Sequence, residues 1–186
     1  MDRVQITMKH TEESIKRLAK VQYDTFSVHT KVIWYGICLI CILMGFGLII
    51  DIGTPWRYIP LAFGCVAFAN IGASSKARAS NTLDAVRRQG GFPCTTMTFL
   101  NNKIRISEKT GGSADLEYNS LFRLVEDQEY LYLFTTRTAA YMVPKEQVHD
   151  MEGFKAFLEK KSGQAFHQPV NLLKCNLSTL RSMRKK

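Results

Sequence analysis

The chain has 186 residues, with 25 Lys and Arg against 16 Asp and Glu, and so carries a formal net charge of +9. An excess of this sign is typical of proteins that contact nucleic acid or an anionic membrane surface. About forty residues lie in uncharged apolar segments, so the lipid bilayer is the expected partner and nucleic acid is not. The remaining residues are enough for only one modest soluble domain.

Residues 1–31 are predicted to form a strand and an amphipathic helix. Val4, Ile6 and Met8 alternate with polar residues, which is the period of a half-buried strand. The next stretch, TEESIKRLAKVQYDTF, has apolar residues at helical spacing. Thr11 is its predicted N-cap, and Ser14 stands where a capping box prefers Glu.

Two uncharged segments, residues 32–50 and 58–75, are long enough to cross a hydrocarbon core about 30 Å thick. We therefore predict a transmembrane hairpin over residues 32–75, with spans near 32–52 and 57–75. A buried core helix and a cleaved signal peptide are alternatives, but two spanning lengths disfavour the first and the late start of the apolar run disfavours the second. The predicted membrane-interface residues are Trp34, Trp56 and Tyr58.

The two predicted spans are expected to pack closely, because small residues let helix backbones approach each other in lipid. The small residues expected at this contact are Gly45, Gly47, Gly64, Ala67 and Ala69. Asn70 is expected to point into it. Cys38 and Cys41 have C-x-x-C spacing within the first span, but no second Cys pair or His completes a ligand set, so no metal site is predicted.

The basic residues predict the orientation of the hairpin. Lys and Arg precede the first span and follow the second, whereas the link over residues 51–56 has none, so both termini are expected in the cytoplasm. Residues 76–93 are predicted to be a helical linker. The candidate contacts for anionic lipid are Lys76, Arg78, Arg87, Arg88, Arg181, Arg184, Lys185 and Lys186. A simpler interpretation, that these residues only set the topology, stays open.

The C-terminal tail, residues 162–186, is basic and contains no acidic residue. Its leucines would form one apolar stripe if the segment became helical: Leu172, Leu173, Leu177 and Leu180. The pattern is that of a helix lying in a membrane interface. A loose or partner-bound chain end is the alternative.

Residues 94–161 are predicted to be an antiparallel β domain. Alternating apolar residues and turn residues indicate six strands in a meander, near 95–100, 103–108, 113–119, 121–126, 129–135 and 138–143. Asn101 and Asn102 are expected to form a type I′ hairpin turn. Pro144 ends the last strand, and a helix capped by Asp150 and closed by Gly163 follows. Its apolar residues are expected to cover the sheet: Phe154, Phe157 and Leu158.

Two stretches, DLEYNSLFRLVEDQEYLYLF and MVPKEQV, together with the two N-terminal spans, resemble the YcxB-like membrane proteins of bacteria. The resemblance implies that the soluble part is similar to a pleckstrin-homology barrel and that the chain resides in a bacterial plasma membrane. The expected fold class is thus membrane α+β, a two-helix transmembrane hairpin with a cytoplasmic antiparallel β-barrel closed by a C-terminal helix.

No catalytic motif, metal site or cofactor site is recognised, and the four His residues are scattered, so an enzyme is not expected. The expected function is a non-enzymatic, membrane-anchored module that docks a protein or peptide partner at the cytoplasmic face. The alternative is a sensor of anionic lipid or another ligand at the membrane surface. Self-association into a homo-oligomer is left open, and a transporter is disfavoured because neither span contains an ionisable residue.

Overall fold

A computed structural model of the chain describes residues 4–47, 56, 58–88, 91–108 and 111–169. The helices are α1 (Glu12–Phe26), α2 (Val28–Gly45), α3 (Tyr58–Arg88) and α4 (Met151–Ser162). The strands are β1 (Val4–Lys9), β2 (Cys94–Phe99), β3 (Lys103–Glu108), β4 (Ser113–Glu117), β5 (Arg123–Glu126), β6 (Tyr130–Phe134), β7 (Ala140–Pro144) and β8 (Phe166–His167). Two short 3-10 turns, Tyr118–Ser120 and Lys145–Gln147, follow β4 and β7.

The eight strands form two four-stranded sheets, in the orders β1-β2-β3-β4 and β7-β6-β5-β8. All pairs are antiparallel except β5 with β8, which is parallel. The prediction of a single closed barrel is therefore wrong. The meander breaks at the 3-10 turn Tyr118–Ser120, where Tyr118 is buried and Leu121 N–H donates to the Tyr118 carbonyl. Pairing of β4 with β5 is lost there, and β8 takes the edge of β5 instead.

One side chain joins the two sheets where β1 lies beside β7. The Gln147 Oε1 atom accepts from Thr7 N–H at 3.0 Å, and Gln147 Nε2 donates to the Thr7 carbonyl at 2.9 Å. An amide side chain thus pairs with the outer edge of β1 as a neighbouring strand would. Gln147 belongs to the stretch MVPKEQV, so this structural role explains one residue of that motif.

The two sheets share one hydrophobic core, which α4 covers. Phe154 is fully buried with its ring centroid 4.9 Å from that of Phe99, and Leu158 is fully buried too. Phe157 is only half-buried, edge-on to Tyr118 at 5.5 Å. The predicted covering helix is confirmed, with Asp150 accepting from Gly153 N–H at 2.9 Å and Gly163 in the left-handed region at φ 68°.

The β2–β3 turn differs from the prediction. Leu100 N–H donates to the Lys103 carbonyl at 2.9 Å, but no non-glycine residue in the described ranges has positive φ. A type I′ turn needs positive φ at both central residues, so that assignment of Asn101 and Asn102 is wrong. The Asn pair tolerates the left-handed region without requiring it.

Helix α1 packs on the outer face of β6. Phe26 lies edge-on to Phe134 at 5.0 Å, Arg17 pairs with Glu129 at 2.7 Å, and Gln22 Nε2 donates to the Arg137 carbonyl at 2.6 Å. Because α1 covers one face and the core covers the other, the β6 residues Leu131–Phe134 are all fully buried. The predicted N-cap of α1 is confirmed, since Thr11 and Ser14 form a capping box.

Helix α2 is the one described helix that is long and apolar enough to cross a membrane, with 18 residues and a mean hydropathy of 1.7. It starts four residues before the predicted span and ends at Gly45 rather than near residue 52. The apolar part of α3, Tyr58–Asn70, is shorter, and the same helix continues without a break to Arg88. Pro60 is tolerated because it lies in the first turn.

Helices α2 and α3 pack antiparallel through small residues. A Cβ added at Gly45 would lie 2.3 Å from Leu61 Cγ, and one at Gly64 would lie 3.2 Å from Cys41 Cβ. Ala67 is buried, as predicted, whereas Ala69 is exposed. Asn70 is exposed and donates to the Val66 carbonyl of its own helix at 3.0 Å, so its predicted place in the contact is wrong.

Candidate membrane-surface groove

A groove of about 740 Å³ lies between α1 and the C-terminal half of α3. Its lining residues are Glu12, Lys16, Lys20, Lys76, Ala79, Ser80, Leu83, Asp84 and Arg87. Four of these are basic and two are acidic, and the buried Ala79 and Leu83 form the floor. We call this cavity the α1/α3 groove.

Helical spacing brings the basic residues together. Lys16 and Lys20 are four residues apart and share one face of α1. Lys76, Ser80 and Arg87 fall on one face of α3, at intervals of four and seven residues. Lys76 is also the first charged residue of α3, directly after the uncharged run 58–75.

An ion-pair cluster closes the end of the groove that is farther from the uncharged run. Glu12 Oε1 lies 2.7 Å from Lys16 Nζ, and Glu12 Oε2 lies 3.1 Å from Arg87 Nη2. The hydrogen bond from Lys16, with the charge of Arg87, holds the pKa of Glu12 below its ordinary value. The pairs are solvent-exposed, so their main effect is to connect α1 to α3 rather than to add much stability.

The other end of the groove contains Lys20 and Lys76. Neither lysine has an ion-pair partner among the residues that the structure describes, and both lysines are exposed to solvent. Asp84, farther along α3, is exposed as well. This end therefore offers two uncompensated cations next to the apolar helices, an arrangement suited to an anionic group.

The remaining predicted site residues are placed separately. Trp34 is half-buried on α2, while Trp56, two residues before α3, and Tyr58, its first residue, are exposed. Arg78 lies within α3, and Arg88 is the exposed last residue of that helix, outside the groove lining. The tail residues Arg181, Arg184, Lys185 and Lys186, with the leucine stripe, lie outside the described residues.

A buried ion pair fixes the joint between α1 and α2. The Lys31 ammonium pairs with the Asp24 carboxylate and lies 4.4 Å from the centroid of the Tyr23 ring. Both charged side chains are mostly buried, so breaking the pair would leave an uncompensated charge. The joint therefore holds α1 and α2 in one fixed arrangement beside α3.

Lys16 and Lys20 are among the basic residues that precede the first predicted span and that predict only its orientation, and the structure places both in the groove. The sequence feature that could have predicted the groove is the continuous apolar run of β6. A strand with apolar residues on both faces needs a cover on each, and α1 is the amphipathic helix that can supply one. Once α1 is docked there, its polar Lys16–Lys20 side is left to face α3.

No group of three or more His, Cys, Asp or Glu side chains that could hold a metal occurs in the described ranges. Cys38 is buried and Cys41 half-buried, and both are free thiols. Cys41 and the backbone carbonyl of Cys38 approach Gly64, so this pair of residues lies at the contact between α2 and α3.

Comparison with known proteins finds a family match for residues 99–160, one third of the chain. No curated protein and no solved structure matches the chain. The matched segment begins at the end of β2 and ends inside α4, so it contains both quoted stretches and Gln147. The resemblance inferred from the sequence is confirmed for this third of the chain: residues 99–160 match the family of YcxB-like proteins.

Proposed function

We propose that the protein is a non-enzymatic, membrane-anchored module that binds anionic lipid headgroups at the cytoplasmic membrane surface through the α1/α3 groove. The observation that carries this proposal is the position of Lys20 and Lys76. Two unpaired cations line a groove directly beside the point where α3 leaves its uncharged run.

The anchor in this proposal is a two-span hairpin made of α2 and the first part of α3. Its outward side chains are apolar and more than half exposed, including Val32, Ile33, Leu39, Ile40, Phe63, Val66 and Phe68. An exposed apolar surface of this extent marks a site that a membrane or a protein partner covers. The first 18 residues of α3 are uncharged and would rise about 27 Å, close to the thickness of a bilayer core.

The soluble part is proposed to be pleckstrin-homology-like and to lie on the cytoplasmic side of a bacterial plasma membrane. Two features support the likeness: the sheets share one core that α4 covers, and the YcxB-like match spans most of these strands. The orientation follows from Lys76 and the other basic residues that flank the hairpin.

Electrostatics favours binding at this location. A basic residue near an anionic leaflet contributes about 1 kcal/mol to membrane attraction, and Lys20 and Lys76 together about 2 kcal/mol. The ion pairs at the far end already use Lys16 and Arg87, so the two lysines near the membrane are the ones free to receive a headgroup.

The test measures binding of short-chain phosphatidylglycerol, against phosphatidylcholine, to the full-length protein in neutral detergent. Lys20→Gln with Lys76→Gln should weaken binding of the anionic lipid roughly tenfold to thirtyfold. Lys160→Gln, an exposed lysine on α4, is the matched control and should change nothing. Equal binding of both lipids by the wild-type protein would reject the proposal, as would affinity that does not fall with added salt.

Docking of a protein or peptide partner is the second function we propose. Strand β4 pairs only with β3 in the described part of the chain, and all of its residues except the half-buried Leu116 are exposed. An extended peptide can add to such an edge through main-chain hydrogen bonds. The register of β3 with β4 leaves the Ser113 N–H on the side of β4 that faces away from β3. Ser113→Pro should therefore abolish capture of the partner by the full-length protein while the β6 core remains folded, and unchanged capture would exclude this edge.

A further inference from the structure

We infer that the β domain also touches the bilayer directly, through a rim formed by Phe122, Arg123 and the β6–β7 turn Thr135–Ala139. The occupant of this surface is the interfacial layer of the same membrane that holds α2. The inference rests on the proposed insertion of α2. The rim packs on the side of α1 that faces the β domain, whereas the groove lies on the side that faces α3.

The rim lies at the end of the β domain nearest the start of α2. Phe122 has its ring centroid 5.9 Å from that of Phe26, and Phe26 is two residues before the first residue of α2. Phe122 N–H donates to the Phe134 carbonyl at 2.7 Å, so the starts of β5 and of the β6–β7 turn lie together.

Strand β6 runs alongside α1, so one end of the strand lies near the start of α2 and the other end lies far from it. Arg17 contacts Glu129 and the Tyr130 ring near the start of α1, whereas Phe26 contacts Phe134 at its end. Because α2 continues from the end of α1, the Phe134 end of the strand faces the membrane. The turn Asp127–Glu129 is at the opposite end.

Charge and hydrophobicity differ between these ends. The rim contains Arg123 and Arg137 and no acidic residue, while the far turn and the strand end beside it contain Glu126, Asp127 and Glu129. Phe122 is 46% exposed, although the domain buries nearly every other large apolar residue of these strands. An anionic surface would attract the rim and repel the far turn.

The chemistry of the rim suits the headgroup region. An exposed aromatic ring gains by entering the boundary between headgroups and acyl chains, and arginines beside it can pair with lipid phosphates. Arg123 already lies over the Phe26 ring at 5.5 Å, which holds its guanidinium at the level where α1 ends. The rim thus fixes the tilt of the β domain on the membrane.

The experiment places one cysteine at a time in a full-length Cys-free variant, labels it with the environment-sensitive fluorophore NBD, and reconstitutes the protein in nanodiscs containing phosphatidylglycerol. The positions are Phe122→Cys, Gln128→Cys in the exposed far turn, and Ile33→Cys on the exposed face of α2. We expect the label at 122 to emit at shorter wavelength than the label at 128 and to be quenched by brominated lipids.

The labels at positions 33, 122 and 128 distinguish failure of the rim from failure of the membrane anchor. Quenching at 33 but not at 122, with equal emission at 122 and 128, would overturn the rim while leaving the anchor intact. Absence of quenching at 33 would overturn the insertion of α2 on which both proposals depend. Replacing Arg123 and Arg137 with Gln should reduce quenching at 122 and leave quenching at 33 unchanged.

Discussion

The β domain and the α2/α3 hairpin use apolar side chains in opposite ways. In the β domain, Phe154 and Tyr132 have no exposed surface, because two sheets, α1 and α4 enclose them. In the hairpin, Phe63 is 58% exposed, and the small residues Gly64 and Ala67 are buried at the contact between the helices. The β domain thus encloses its largest apolar side chains, whereas the hairpin leaves its largest ones exposed, as the proposed membrane anchor requires.

Helix α1 belongs to both regions and couples them. One side of it contributes Val21 to the core of the β domain, and the groove side faces α3. The Asp24–Lys31 pair then fixes α1 against α2. A β domain joined in this way is expected to move with the hairpin as one unit rather than on a flexible linker.

The largest expected effect comes from truncating the core of the β domain. Phe154→Ala should lower the free energy of unfolding by about 3–5 kcal/mol, because the ring is fully buried against Phe99. Urea unfolding of the full-length protein in mild detergent, followed by tyrosine near-ultraviolet circular dichroism, measures it. Phe63→Ala is the matched control in the hairpin and should change this transition by less than about 0.5 kcal/mol. Equal effects would remove the distinction between the two regions.

The hairpin is expected to be sensitive where its backbones meet. Gly45→Ala places a Cβ 2.3 Å from Leu61 Cγ and should destabilise the α2/α3 contact by about 1–3 kcal/mol. Gly36→Ala makes the same change in the same helix with nothing within 4 Å, so it should be neutral or slightly stabilising. Both tryptophans lie in this region, so thermal unfolding followed by tryptophan fluorescence reports on it. Similar curves for the two variants would contradict the packing.

The bridge between the two sheets should have a smaller effect. Gln147→Ala removes two hydrogen bonds to Thr7 and should cost about 1–2 kcal/mol in unfolding of the β domain. Gln5→Ala, an exposed glutamine on the same strand β1, is the control. Faster hydrogen exchange of Thr7 N–H in the Gln147 variant alone would locate the loss, and unchanged exchange would show that the bridge is dispensable.

The smallest expected effect is a pH dependence at Glu126. Burial raises the pKa of this carboxyl, but hydrogen bonds from Lys145 at 2.5 Å and Lys155 at 2.8 Å lower it more, so the pKa lies below the ordinary 4.5. Stability from a depressed pKa is present above 4.5 and is lost as pH falls through the folded value. Glu126→Gln should therefore destabilise the domain at neutral pH, and its difference from wild type should shrink well below pH 4.5. A difference that is constant with pH would exclude the ion pairs as its cause.

Local patterns predicted most elements. Alternation placed Met97 and Phe99 in the core, and the polar residue before each of α1 and α4 correctly marked its cap. These features depend on neighbours within one turn or one strand, where the physical rules are short-range.

Features that depend on distant partners were missed. Nothing local to Tyr118–Ser120 signals that the meander breaks there, because the break is set by core packing and by β8 reaching β5 from beyond α4. Composition also did not reveal where the first apolar helix begins: α2 starts at Val28, four residues before the uncharged run. The groove could be predicted only by knowing that α1 docks on β6, and this contact joins chain segments more than one hundred residues apart.

The most direct test of a membrane-anchored β domain is the accessibility of single cysteines in intact cells. Two variants are made from a Cys-free protein. One has Thr54→Cys, in the link between α2 and α3 and outside the described residues, and the other has Ser113→Cys, on β4. A thiol reagent that cannot cross membranes should label the cysteine at 54 from outside and reach the one at 113 only after the cells are opened. Labelling of 113 but not 54 in intact cells would contradict the cytoplasmic orientation, and protection of both would contradict the two-span hairpin.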